Sequence, residues 1–309
     1  MWLWLRPLTA MQWLGETATI RYSGAAIDSL LPWHTFRGQQ SLTMQALPFA
    51  LLAIIFYLGA GSWQGLTLLR RVPARPALVR GVGLLAVACH SVVVFITLDS
   101  TDSLNLGLSN SASLFSWLIA LLLLGVSFVK PVLSAAVGLF PLAALALLLV
   151  VGLPEHGHRE GLPPGIAIHV LTSTLAFSLF AIAAVQAMLL ARQNQSLRKH
   201  HTRGIVQVLP PLVTMERLLF ELIWAGMFLL TASIISGMIF LDNLFAQHLV
   251  HKTVLSFAAW IIFALLLAGH HVFGWRGAKA VRWTLGGCAL LLLAYFGSKF
   301  ALEIVFGRP

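Results

Sequence analysis

Residues 46–69 read ALPFALLAIIFYLGAGSWQGLTLL, twenty-four positions without one charged side chain, closed at once by Arg70 and Arg71. A helix rises about 1.5 Å per residue, so roughly 20 apolar residues cross the ~30 Å hydrocarbon core of a bilayer. This run is long enough to span. The same reading recurs seven times, at residues 77–98, 111–129, 132–152, 164–191, 218–241, 250–270 and 280–304. Pro141 interrupts the fourth span, a kink that neighbouring helices can tolerate. The fold expected is all-α: a polytopic integral membrane helix bundle of about eight transmembrane helices.

The composition agrees. Only 10% of the 309 residues are charged and 59% are hydrophobic, with a mean hydropathy of +0.88. Soluble domains carry about 25% charged residues. A disordered chain, a secreted disulfide scaffold and an ordinary cytosolic enzyme are excluded. Cys89 and Cys288 sit in apolar runs and form no Cys-x-x-Cys pair, so the chain is neither a c-type cytochrome nor a thioredoxin-like protein. The net charge of +10 belongs to loops that orient a membrane protein, and no nucleic-acid partner is expected.

Loop charge sets the orientation. Arg70, Arg71, Arg75 and Arg80 follow the first span and Lys130 the third. Arg192, Arg198, Lys199, Arg203 and Arg217 follow the fifth, and Arg276, Lys279 and Arg282 the seventh. These thirteen of the 20 basic residues fall on alternate loops. The opposite loops hold Asp99, Asp102, Glu155, Glu160 and Asp242, with only Arg159 and Lys252 as bases. The positive-inside rule places the thirteen in the cytoplasm and both chain ends in the periplasm. Residues 1–43 lack helical periodicity and a signal-peptide core. They read either as an extension or as the product of an over-called start, with translation beginning at Met44, so the membrane domain is 44–309.

Histidine is the polar residue out of place. His34, His156, His158, His200, His201 and His248 read as solvated. His90, His169 and His270 lie in spans, with His251 and His271 as neighbours. A histidine in a span either bonds two helices together or marks a functional site. Three on separate spans point to the second. His90 and His169 fall in the outer half and can ligate one haem iron. His270 falls at the inner end, where Trp275 and Arg276 are close and Arg276 can pair with a propionate. Zinc wants four ligands in a closed tetrahedron, whereas haem needs one or two axial histidines in an apolar slot, and sparse histidines suit haem better. Glu221 lies four residues after Arg217, spacing for a helical ion pair. No Walker loop, GxGxxG or GxSxG is present, and no enzymatic activity is expected.

Several strings together carry a resemblance: LGLSNSASLFSWL at 106–118, IHVLTSTLAFSLFAIAAVQAMLLARQ at 168–193, LPPLVTMERLLFELIWAGMFLLTASIISG at 209–237, HKTVLSFAAWIIFALLLAGHHVFGWRGAKA at 251–280 and LLLLAYFGSKF at 290–300. The chain resembles the cytochrome c assembly family of haem-handling membrane proteins, which includes CcsA and CcmC, and within it the short eight-span branch. The resemblance covers about 44–300. It implies a place in the bacterial inner membrane, haem as cofactor, His169 as an outer haem ligand, His270 or its neighbour His271 as an inner one, and His90 as a span histidine of the short branch. It also implies partners in cytochrome biogenesis or haem synthesis. The chain departs from the family twice. The loop LDNLFAQHLVHK carries no tryptophan where the family has a Trp-rich signature, and the C-terminus EIVFGRP has no second outer histidine. Both departures point away from haem presentation to apocytochrome c and toward haem binding, transfer or a regulatory role near haem synthesis. Two other readings stand beside this one: a structural or regulatory membrane protein without cofactor, and a small-molecule transporter.

Overall fold

The structure, a computed structural model, describes residues 33–98, 107–152, 164–200, 205–240 and 250–297. Every regular element among them is helical: α1 Trp33–Leu68, α2 Pro76–Leu98, α3 Leu108–Ser127, a 3-10 turn Leu133–Ala135 leading into α4 Ala136–Gly152, α5 Pro164–Arg198, a single turn Ile205–Val208, α6 Leu212–Phe240, α7 Val250–Phe273 and α8 Ala278–Leu292, which closes in a π turn Leu293–Gly297. Eight stretches are long and apolar enough to cross a membrane, and each falls on one of the eight spans expected. The protein is an all-α polytopic membrane bundle. Residues Leu42–Pro309 form one compact unit and Met1–Ser41 another; of the second, only the first residues of α1 are described.

Proline and glycine mark the helix ends. Pro76 and Pro164 open α2 and α5, where the missing N–H costs nothing. Gly107 precedes α3. In α1 a buried stripe runs through Ala46, Ala50, Ala53, Tyr57 and Ala60, alternating in steps of four and three, while Leu51, Leu52, Ile55 and Leu58 on the other face are exposed. Small residues inward and large ones toward lipid let the backbones approach, which drives helix association where the hydrophobic effect cannot. Gly61 leaves room for the Pro141 ring within α4: a Cβ there would lie 3.2 Å from the proline Cδ. α5 and α6 are the most extensively paired helices.

The basic loops gather at one end of the bundle. The Arg70 guanidinium donates to the Gln207 side chain. Lys130 Nζ lies 2.9 Å from Glu221 Oε2 and Arg217 Nε 3.0 Å from Glu221 Oε1, so the helical pair expected from spacing is also tied to the loop before α4. Gln193 donates to the Pro210 carbonyl at 2.9 Å. At the opposite end α3, α5 and α8 share an aromatic cluster. Phe115 meets Phe177, Tyr295 and Phe296 at ring separations of 4.9, 4.6 and 5.7 Å, and the Tyr295 hydroxyl donates to Ser111 at 3.0 Å.

Candidate functional site

At the basic end, α7 finishes in GHHVFGWRGAKA. Gly274, at φ +63°, donates its N–H to the His270 carbonyl, and Trp275 N–H reaches back to the Gly269 carbonyl, both at 3.1 Å. This is the paired closure that a left-handed glycine gives a helix C-terminus. It folds Trp275 back over the helix. The ring fits because residue 269 is glycine: a Cβ there would sit 2.5 Å from the indole. The same fold presents the Trp275 carbonyl to His270 Nδ1 at 2.9 Å. Phe220 of α6 stacks on the imidazole, centroids 3.5 Å apart and planes 16° apart, and fixes its plane. Gly277, at φ +59°, then starts α8 and donates its N–H to Glu216 Oε1 of α6 at 2.8 Å. Lys279 caps the Trp275 ring at 5.0 Å, and Arg276 and His271 are exposed.

A carbonyl oxygen can only accept, so His270 Nδ1 carries the proton and, in the neutral ring, Nε2 is a lone pair. His169, near the other end of the bundle, is set the same way. Its Nδ1 lies 2.8 Å from the Ser233 carbonyl of α6, which also accepts from the Ser236 hydroxyl at 2.9 Å. Both residues are half-buried. Phe220 and Ser233 are thirteen residues apart on α6, which separates the two histidines by about 20 Å along the bundle.

His90 differs in kind. It is fully buried, with Nδ1 3.3 Å from the Tyr57 hydroxyl of α1 and Nε2 2.9 Å from Ser113 Oγ of α3. In either tautomer the unprotonated nitrogen faces a hydroxyl that can donate to it. The structure does not bring His90 and His169 together. The Phe115–Phe177 contact sets the register of α3 against α5. His90 meets α3 two residues before Phe115, and His169 lies eight residues before Phe177. The difference of six residues is about 9 Å of rise, against roughly 4 Å between axial nitrogens across one iron. His251 is exposed on the first turn of α7. His156, His158, His201, His248, most of the loop 241–252 and the C-terminal EIVFGRP lie outside the described residues, as does the side chain of His34. Among the described residues no group of three or more His, Cys, Asp or Glu is placed to hold a bare metal ion.

The cytochrome C assembly protein profile matches residues 80–306, from the first turn of α2 to beyond α8. The chain belongs to this family. It is also similar to the inner membrane protein YpjD of Escherichia coli strain K12 and of strain O157:H7, 32% identical in each case over 277 residues that cover 83% of this chain and 98% of the relative. A second relative is the "Uncharacterized 28.8 kDa protein in nifR3-like 5'region" of Azospirillum brasilense, 32% identical over 152 residues, 48% of this chain and 56% of that protein. No solved structure matches.

For a cytochrome c assembly protein the inner turn makes sense of strings that sequence alone left separate. The ER pair divides: Arg217 serves Glu221, while Glu216 holds the GWRG turn. The adjacent histidines divide too, His270 turned inward against Phe220 and His271 exposed. Sequence reasoning missed Glu216, Phe220, Ser233, Tyr57 and Ser113. Each partner lies between 23 and 64 residues from its histidine or glycine, beyond any helical spacing. The one local signal was the unused carboxylate of the ER pair.

Proposed function

We propose that this chain is a haem-handling inner-membrane protein with two separate single-histidine stations, His169 toward the periplasm and His270 at the cytoplasmic end. The observation that carries the reading is the shared preparation of the two rings. In each, a backbone carbonyl accepts a hydrogen bond from Nδ1–H, so the lone pair of a half-buried ring is held on Nε2, as the outer partners of metal-bound histidines hold it. The donor set fits haem, whose iron accepts an imidazole nitrogen and whose propionates accept cations. At the inner station Arg276 in the turn after His270 and Lys279 over the Trp275 ring are the cations that would serve the propionates. His90 is the tie between α1, α2 and α3 and takes no part in ligation. The cytoplasmic loops are the basic ones, both termini are periplasmic, and the partners are proteins that deliver or receive haem. The stacked pair Phe180–Phe263, both rings buried, fills the core between the stations and does not support the polar central cavity of a transporter.

The test is the visible spectrum of the purified full chain titrated with hemin. A Soret band is expected. His169→Ala and His270→Ala should each remove part of the bound haem, and His90→Ala none per folded molecule. Full haem content and an unchanged spectrum in both of the first two variants would sink the assignment.

A further inference from the structure

The lone pair on His270 depends on a contact with a residue on another helix. The carbonyl that accepts from its Nδ1–H belongs to Trp275, in the four-residue turn bounded by two positive-φ glycines, Gly274 and Gly277. Gly274 is held by its own helix through the paired bonds to Gly269 and His270. The other side of the turn is held from α6, by the Glu216 carboxylate on the Gly277 N–H. Glu216 stands one helical turn before Phe220, the residue stacked on His270. One face of α6 therefore fixes both the plane of the imidazole and the turn that sets its proton. Glu221, also acidic and five residues on, is engaged with Lys130 and Arg217 and does not touch the turn.

We propose that Glu216 is the positioning residue of the inner station: by clamping Gly277 it keeps the Trp275 carbonyl on His270 Nδ1 and so keeps Nε2 unprotonated and pointed away from the turn. What Nε2 then binds rests on the haem reading above; the position of the proton does not. A carboxylate serves better than water here because it bonds a single N–H at the start of α8, where negative charge is favoured by the helix dipole.

The experiment uses the full chain in lipid nanodiscs, 15N-labelled at histidine and free of haem. Nitrogen–proton correlation reads which ring nitrogen carries the proton, and the His270 signals are those lost in His270→Gln. The wild type should show His270 protonated at Nδ1. Glu216→Gln keeps an oxygen for Gly277 and should keep that pattern, as should the control Glu221→Gln. Glu216→Leu removes the acceptor and should give mixed tautomers. Gly277→Ala should do the same from the other end, because φ +59° strains any residue with a Cβ, even though that Cβ would meet Asn194 Nδ2 and Glu216 Oε1 only at ordinary contact distances of 3.5 and 3.8 Å. In a hemin titration Glu216→Leu should lower affinity at the inner station roughly 10- to 100-fold, the usual cost of losing an outer-shell partner. The His169-dependent band should persist and reports that the variant is folded. Should Glu216→Leu fail to insert, Gly277→Ala carries the same comparison. His270 still protonated at Nδ1 in Glu216→Leu, or lost equally in Glu216→Gln, overturns the proposal. Wild-type protein that binds no hemin through His270 defeats the haem reading alone, since the tautomer measurement still decides the role of Glu216.

Discussion

Replacing His90 by alanine removes the shared partner of two hydroxyls, Tyr57 on α1 and Ser113 on α3, in a fully buried site. Ser113 can turn to a helix carbonyl, but the buried phenol has no such recourse. The expected loss is about 1–2 kcal/mol of stability, at the upper end for side-chain bonds within membranes. A lower melting temperature in detergent, with haem per folded molecule unchanged, is the outcome that fits a tie. The sequence marks this histidine as costly in a span but is silent on whether its nitrogens are engaged, because both partners arrive from other helices. Depth is equally hard to read. Counting from span ends sets His90 and His169 nearly level, whereas the offset of α2, α3 and α5 against one another separates them.

At the scale of elements, apolar length was legible and helix ends were not. All eight spans could be read because the bilayer sets one length for each. Hydropathy marks the bilayer, however, and not the helix. α5 runs on to Arg198 through a polar turn of good helix formers, and α6 starts at Leu212, six residues before its apolar run. Of the two partners of Glu221, Arg217 lies on the α6 extension and Lys130 in the loop before α4; both pairs are more than one-third exposed, so Glu221→Gln should cost at most about 1 kcal/mol. The glycines of α8 make a sharper prediction. A Cβ on Gly287 would lie 2.6 Å from the Phe263 ring, while Gly286, one residue earlier, meets nothing within 4 Å. Gly287→Ala should destabilise by roughly 1–3 kcal/mol through overpacking. Gly286→Ala should be neutral or stabilising by about 0.5 kcal/mol, since glycine weakens a helix interior. Melting curves of the two neighbouring variants provide the comparison.

For the molecule as a whole, the gathering of Arg70, Lys130, Glu216 and Gly277 contacts at one end means that the basic loops share one side of the membrane. A single cysteine at Lys199 should be labelled only after the inner face is opened; labelling from outside intact cells reverses the orientation. Deleting the residues before Met44 should leave insertion and hemin binding intact, because the compact unit runs from Leu42. Loss of membrane-inserted protein would count against that. Midway between the two histidines, Phe180 and Phe263 stack at 4.0 Å, seated on Gly226 and Gly287. Two polar sites near opposite faces of an energised membrane would short-circuit its proton gradient if water joined them. A dry aromatic pair prevents this, since an ion in such a medium loses several kcal/mol of hydration. Electrical insulation is the expected consequence of the pair. Vesicles carrying the wild-type chain should hold a pH gradient, and those carrying the double replacement Phe180→Ala, Phe263→Ala should discharge it.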